Sequence, residues 1–445
     1  MSGDRRAPVR VGLLGFGTIG TGVAKVLERS ADVIGERLGH PLRLVRIADL
    51  DTTRDRGIDV SGIRFDSDGG ALVADPEVDI VVELIGGTDV ARRFVLQAIA
   101  NGKHVVTANK ALLAAHGREV FDAAERKGVD VAFEASVGGG IPILRALREG
   151  LAANRILSLH GIINGTTNYI LCEMERTGAA FETVLARAQS LGYAELDPSF
   201  DIDGIDAAHK LTLLASMAFG AELTSKEVPA EGIRGITPTE FESAGEFGYR
   251  IKLLGIAKWR PSESGERIEA RVHPTLVPAT SLLAKVDGAM NAIAVHGDAV
   301  GPTLFYGAGA GEMPTASAVV ADLMEIAREI RRGRAGRVAP LSYLPEALRP
   351  KPLVPLGEIE ARAYLRFTAL DRPGVLAKIT KLLGDDGIGI ESVIQKGRGR
   401  GGESVPVVML TDIAREESIR RALQGIDSLA EVTAPTCLIR IEEDL

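Results

Sequence analysis

VRVGLLGFGTIGTGVAKVLER, residues 9 to 29, is the stretch on which the fold turns. Its first part is an apolar run that ends in glycines, and its second part places apolar residues at helical spacing, so it reads as strand, turn, helix. Gly15, Gly17 and Gly20 form G-x-G-x-x-G at that turn. Following an apolar strand and opening a helix, the pattern predicts a dinucleotide-binding βαβ unit. The first glycine permits the tight turn, the second lets the backbone approach a pyrophosphate, and the third permits close packing of helix on strand. The helix N-terminus then offers free N–H groups to the phosphates.

The same alternation continues outward. RLVRIAD (43–49), DIVVELIGG (79–87), HVVTAN (104–109) and VDVAFEA (129–135) read as strands, and VARRFVLQAIANG (90–102) and KALLAAHGREVFDAAERKG (110–128) as helices. Continuous apolar strands between helices predict a Rossmann-type parallel sheet covered on both faces, an α/β fold. Asp49 ends the second strand, where an acidic residue would bond a ribose 2′-hydroxyl and repel a 2′-phosphate. It lies further from the glycines than the usual spacing of about 20 residues, an excess assigned to a loop, ERSADVIGERLGHP (28–41). Arg54 and Arg56 are close enough in sequence to meet a phosphate instead, so NAD and NADP both stay open.

After Ala135 the texture changes. SVGGGIPIL (136–144) is glycine-rich, and helical patterns (ALREGLAAN, FETVLARAQSLG, AAHKLTLLASMAFG) precede a β-like stretch, RIEARVHPTLVP. The helix TASAVVADLMEIAREIRRG (315–333) is long enough to pack back on the first sheet. The expected organisation is therefore a dinucleotide-binding domain of 1–135 plus about 307–335 and an inserted α/β catalytic and dimerisation domain of 136–306. Residues 334–358 hold five prolines without periodicity, so a linker is placed at 336–359. From 360 to 445 the order βαββαβ predicts a small ferredoxin-like module.

The 445 residues exceed what one simple core holds, at about 100 to 200 residues per domain. A net charge of −8 argues against a nucleic-acid surface, which needs a basic face. MSGDRRAPVR at the N-terminus lacks the apolar stretch of a signal peptide, no run reaches the length of a membrane span, and Cys172 and Cys437 stand far apart. A cytoplasmic protein without membrane or nucleic-acid partners is expected. The seven histidines show no metal-ligand spacing.

Chemistry concentrates in the middle of the chain. NGTTN (164–168) reads locally as a capped turn. LGYAELDPSFDIDGIDAAHK then brings Glu195, Asp197, Asp201, Asp203, Asp206 and Lys210 close together in sequence. From Ile205 the pattern turns apolar and helical, which makes Asp206 and Lys210 an i,i+4 pair in the first turns of a core helix. Buried charges there must be paired or line a cleft, so the pair is either structural or a proton-transfer site.

GLLGFGTIGTGV, VVTANKALLA, EASVGGGIPI, GIINGTTNYIL, AQSLGYAELDPSFDIDGIDAAHKL, EARVHPTLVP, VDGAMNA and GAGAGEMPTASAVVADL, taken together, resemble homoserine dehydrogenases of the monofunctional type with a C-terminal ACT domain. The resemblance implies NAD(P)-dependent interconversion of aspartate 4-semialdehyde and L-homoserine, in threonine, methionine and isoleucine biosynthesis. It makes Lys210 the proton donor to the aldehyde oxygen, with Asp206 placing substrate and water, Glu195 holding the substrate ammonium and Lys110 lining the site. Gly192 and Gly307 match positions near the nicotinamide, and Thr18 and Ile19 continue the glycine turn. Glu134, Val137, Gly139 and Ile141 match a structural sodium site formed largely by backbone carbonyls. Ala48 stands where many relatives carry a basic residue, so the cofactor is implied only as NADP or NAD.

DRPGVLAKITKLL followed by GIGIESVIQ resembles an ACT domain, which implies Asp371, Gly374, Val375 and Leu376 as effector-loop residues and threonine as a feedback inhibitor. The family also implies a homodimer or homotetramer built through the middle domain. Cys172, in NYILCEMER, has no base signature nearby, which counts against a semialdehyde dehydrogenase that acylates a cysteine. A non-catalytic cofactor sensor would have no use for Glu195, Asp206 and Lys210.

Overall fold

Strand β1, Val9–Leu14, sits in the interior of a six-stranded sheet of order β3-β2-β1-β4-β5-β6, in which the others are Leu42–Ala48 (β2), Arg64–Asp66 (β3), Ile80–Glu83 (β4), His104–Thr107 (β5) and Val131–Ala132 (β6). β1 runs parallel to both neighbours, Val11 pairing with Leu44 on one side and Ile80 on the other. Each face carries its own core. Val11 and Leu13 pack with Val23 and Leu27 of helix α1 (Thr18–Arg29) and with Ala316, Val319 and Leu323 of the helix Glu312–Arg332. Leu14 and Val81 pack with Leu72, Val95, Ile99, Leu112 and Val120. Burial on both faces is why these strands are unbroken apolar runs rather than alternating ones. The strand order reverses between β1 and β4, and the crevice at the carboxyl ends of a parallel sheet at such a point is where ligands bind.

This computed structural model describes residues 7–263, 265–395, 397 and 403–445. Residues 1–6 of the polar N-terminal run and Lys396 at the end of an expected strand lie outside them. The chain divides into two compact units, one of Met1–Leu157, His209–Glu227 and Asn291–Lys351, the other of Ser158–Ala208, Val228–Met290 and Pro352–Leu445. The parallel sheet belongs to the first. No helix among the described residues is long and apolar enough to cross a membrane.

Three local readings need correction. The segment expected as a loop at 28–41 contains a second helix, Ala31–Leu38, closed by Gly39 in the left-handed region at φ +76. Of 129–135, only Val131–Ala132 pairs as strand, and Glu134–Ser136 winds into a 3-10 turn. The run 146–154 begins as a π-helical turn, Ala146–Gly150, not as an α-helix.

In the second unit a long hairpin, Tyr249–Ser262 and Gly265–Pro278, pairs residue for residue from Tyr249 opposite Pro278 to Ser262 opposite Gly265. Residues 158–161 add antiparallel to its first strand. The second strand pairs in parallel with Val432–Ile441, Arg440 opposite Thr275 and Ile441 opposite Leu276. From there the sheet continues antiparallel through Glu360–Leu370, Ser404–Thr411 and Ile390–Gln395. Val375–Asp385 and Glu416–Asp427 cover it, burying Ile379, Leu383, Ile419 and Ile426 against Leu365, Phe367 and Met409. This is a ferredoxin-like order, as expected for the C-terminal module, and its last strand pairs with the second strand of the long hairpin.

Candidate active site

The glycine turn has the geometry that a dinucleotide needs. Gly15 lies at φ +92, and a Cβ there would stand 2.7 Å from the Leu84 carbonyl oxygen. At Gly20 a Cβ would collide with the Gly15 carbonyl oxygen at 2.2 Å, whereas at Gly17 it would meet nothing within 4 Å. Gly17 thus opens the turn outward while Gly15 and Gly20 close it inward. No side chain caps α1, so the N–H groups around exposed Thr18 and half-buried Ile19 face outward, as an anion site requires.

Asp49 adjoins this turn: its Oδ2 accepts the Phe16 N–H at 2.5 Å and its Oδ1 the Asp51 N–H at 2.8 Å. Arg56 stands 3.5 Å from Asp49, stacks over the Phe16 ring at 4.8 Å, and donates to the carbonyls of Phe16, Asp51 and Arg54. Its donors are thus engaged in shaping the loop, whereas Arg54 is exposed.

Further along the carboxyl edge, Glu83 is fully buried and accepts from Thr107 Oγ1 at 2.6 Å and from the N–H groups of Ile85 and Gly86. Burial pushes its carboxyl pKa up, against those bonds. Asn109 caps the helix Lys110–Lys127 by accepting from the Leu112 N–H, and donates to the Gly87 carbonyl at 2.7 Å. Half-buried Lys110 is therefore fixed at the carboxyl edge of the sheet, on the same side as the glycine turn. Gly307 lies near the end of the strand Gly301–Ala308, where a Cβ would press on Ile141 at 3.1 Å.

The loop holding Glu134, Val137, Gly139 and Ile141 is buried at all four positions. The Glu134 carboxylate accepts the N–H groups of Leu144 and Arg145 at 2.9 and 2.8 Å, and its own N–H donates to Asp322. Burial, and then the charge of Glu134, push the Asp322 carboxyl up to about 7. Gly139 adopts φ +56, and a Cβ would stand 2.5 Å from the Gly309 carbonyl oxygen. The loop's backbone carbonyls would offer oxygen ligands to a hard cation. Among the described residues no group of three His, Cys, Asp or Glu is placed to hold a metal.

In the second unit Asn164 is the hub. Its Oδ1 accepts the Thr167 N–H, capping the helix Gly165–Thr177, while its Nδ2 donates to Asp201 Oδ1 at 2.7 Å and Asp206 Oδ2 at 2.8 Å. Asp206 is 2% exposed, and the helix Ile205–Phe219, which passes into the first unit at His209, carries half-buried Lys210 one turn further on. Asp203 is drawn away by Arg234, Nε to Oδ1 at 2.6 Å. Glu195 is exposed, in a loop fastened by Gln189 Nε2 to its carbonyl at 2.9 Å, and Gly192 turns that loop at φ +77. Sequence reading found Asp206 and Lys210 and the local cap at Asn164; it missed Asn164 as the donor shared by two aspartates, because those partners lie 37 and 42 residues away.

In the C-terminal module, Gly374 at φ +91 opens the helix Val375–Asp385, with Val375 buried and Leu376 exposed. Asp371 accepts from Gln395 Nε2 at 3.2 Å. The two thiols are poorly suited to nucleophilic work: burial raises the pKa of Cys172 and pushes Cys437 up to about 12.

Comparison with known proteins adds the following. The family model for the homoserine dehydrogenase catalytic domain matches residues 142–324, that for the homoserine dehydrogenase NAD binding domain 15–134, and that for the ACT domain 363–427. The homoserine dehydrogenase of Pseudomonas aeruginosa is 49% identical, with 98% of this chain and 99% of that protein covered. That of Helicobacter pylori is 43% identical over 98% and 99%. A solved homoserine dehydrogenase from Thiobacillus denitrificans superposes with a TM-score of 0.91 at 51% identity, covering 98% of this chain and 99% of that one. A hyperthermophilic archaeal homoserine dehydrogenase in complex with NADPH superposes at 0.60 with 26% identity, over 72% of this chain and 98% of that one.

Proposed function

The chain belongs to the homoserine dehydrogenase family, NAD(P)-dependent oxidoreductases acting on a CH–OH group, and on that premise we propose which of its residues interconvert aspartate 4-semialdehyde and L-homoserine. The dinucleotide, when bound, supplies the hydride or takes it back. Lys210 gives a proton to the aldehyde oxygen as negative charge develops there, and its positive charge stabilises that oxygen. Asp206 orients substrate and water beside it, Glu195 holds the substrate ammonium, and Lys110 lines the site. Gly15, Gly17, Thr18, Ile19 and Gly20 would hold the phosphates and Asp49 the adenosine ribose, and Gly192 and Gly307 are the residues proposed for the nicotinamide half.

The observation that carries this reading is a carboxylate on a core helix, Asp206 at 2% exposure and held by Asn164, one turn before a lysine. A carboxylate that buried needs compensating hydrogen bonds, which Asn164 supplies, and a cation one turn on is placed to act beside it. In homoserine-dependent NADP and NAD reduction, Lys210→Ala is expected to lose at least about 100-fold in kcat with dinucleotide binding intact; full activity in that variant would remove Lys210 from the chemistry.

The reading extends to the cofactor and the regulator. Either NADP or NAD is taken, since Asp49 suits a 2′-hydroxyl and Arg54 a 2′-phosphate, and paired kinetics with the two dinucleotides decide the preference. A sodium ion would be held by carbonyls of Glu134, Val137, Gly139 and Ile141. Threonine binds the C-terminal module at Asp371, Gly374, Val375 and Leu376 and inhibits; activity unchanged by millimolar threonine would leave the module a structural part. The enzyme works in the cytoplasm, in threonine, methionine and isoleucine biosynthesis, as a homodimer or homotetramer.

A further inference from the structure

The turn that starts the Asp206–Lys210 helix is held from outside by one short segment. Ile233 N–H donates to the Ile202 carbonyl at 2.9 Å, and a Cβ on Gly232 would lie 2.3 Å from the Ile202 carbonyl oxygen and 2.6 Å from Asp203 Cα. Arg234 binds Asp203 and the Ser199 hydroxyl. Gly204, at φ +82, packs with the place of its Cβ 3.3 Å from the Glu231 carbonyl oxygen. Segment 231–234 therefore holds residues 201–204 from one side while Asn164 holds Asp201 and Asp206 from the other, and the helix that begins at Ile205 carries Asp206 and Lys210 on from that turn.

That segment has a second attachment. Glu231 N–H donates to the Val272 carbonyl at 2.8 Å, and its carboxylate receives a two-pronged bond from Arg440, Nη1 to Oε2 at 2.8 Å and Nη2 to Oε1 at 2.9 Å, plus Arg420 Nη2 at 2.7 Å. Arg440 lies on Val432–Ile441, the strand shared between the C-terminal module and the catalytic hairpin, and its side chain is 1% exposed. Arg440 also binds Glu416 through Nε at 2.9 Å and Nη2 at 2.5 Å, at the first residue of the helix Glu416–Asp427. A buried guanidinium shared between two carboxylates moves only if both follow it, so the arrangement has few alternative geometries.

We infer that Glu231 is a positioning residue: it touches no reacting atom, and ties the turn 201–204, and with it Asp206 and Lys210, to Arg440 of the C-terminal sheet. The catalytic half of this inference rests on the reading that Asp206 and Lys210 carry the reaction, and the mechanical half does not.

The test uses the full-length enzyme. Glu231→Gln is expected to speed hydrogen exchange in peptides spanning 199–208 by about fivefold. It is also expected to lower kcat about tenfold while the dinucleotide KM stays within about twofold. Glu231→Asp, which keeps the charge, restores most of both. Unchanged exchange at 199–208 in a folded Glu231→Gln protein overturns the tie. Faster exchange with an unchanged kcat keeps the tie and refutes instead the assignment of Asp206 and Lys210 to the chemistry. If Glu231→Gln does not fold, Arg420→Ala removes only the half-exposed arm, and exchange at 199–208 should rise about twofold; no rise there overturns the inference.

Discussion

Substituting Asn164→Asp would separate the two tasks of this residue. The variant keeps a side-chain oxygen for the Thr167 N–H, so the helix cap survives. What changes is the other end: an amide donor at 2.7 and 2.8 Å from two carboxylates becomes a third carboxylate. At such separations two like charges repel by about 6 kcal/mol even at an effective dielectric of about 20, so the folded cluster keeps one proton rather than ionise fully. Holding that proton costs about 1.4 kcal/mol for every pH unit above the carboxyl's ordinary value of about 4. Because the folded variant binds a proton that the unfolded chain has released, its stability falls as pH rises. Between about pH 5 and about pH 8 the deficit relative to the parent protein should grow by about 4 kcal/mol. Denaturation midpoints of both proteins across that range measure it, with Asn164→Ser as control: it keeps the cap, replaces the amide by one shorter hydroxyl and adds no charge, for a deficit of about 3 kcal/mol that grows less with pH than that of Asn164→Asp. A gap between Asn164→Asp and the parent that stays constant or narrows as pH rises would refute the clustering of Asp201 and Asp206 about this side chain.

Three further outcomes are expected. Gly20→Ala should weaken NADPH binding at least about tenfold, read by nucleotide fluorescence, because the added methyl has no room beside the Gly15 carbonyl; unchanged binding would contradict the turn geometry. His273 is buried, and its Nε2 accepts from Arg271 Nε at 2.8 Å while Nδ1 faces the Pro274 carbonyl, so it is neutral with its proton on Nδ1. Desolvation, then the charges of Arg440 and Arg271, hold its pKa well below the ordinary value, so stability should fall on acidification below about pH 6.5 by up to about 1.4 kcal/mol per unit, with a shallower slope in His273→Gln; equal slopes would exclude it. Arg271→Met removes the buried cation shared by Glu269 and Glu442, leaving them Arg260 and Lys258, and should cost about 3 kcal/mol, seen as a fall in thermal midpoint; no fall would mean that Arg260 and Lys258 suffice to balance those carboxylates.

Legibility followed the range of the forces involved. The parallel strands were readable because both faces of each are buried, so Val9–Leu14 and Ile80–Glu83 needed only local composition to declare themselves. Arg64–Asp66 was invisible: three residues carry no period, and a neighbouring strand makes them a strand. Ala31–Leu38 was hidden behind Gly35 and Gly39, which read as breakers although the second is the helix's own stop signal. Asp206 and Lys210 showed in the sequence because a helix fixes their spacing. Glu231 and Arg440 did not, and Asn164 showed only as a local cap, because their other partners lie far along the chain, and a single glutamate or arginine resembles any other until folding supplies them.

The pairing of Val432–Ile441 with the catalytic hairpin bears on modularity. ACT domains are often treated as interchangeable cassettes, to be deleted or transplanted for a new allosteric response. Here a cut after the helix Glu416–Asp427 would strip a strand from Gly265–Pro278 and leave an open edge inviting aggregation. It would also leave Glu231 without Arg440. The proposed effector loop at 371–376 is therefore better tested by point substitution than by deletion, and a chimera should carry the last strand's contacts across with the module.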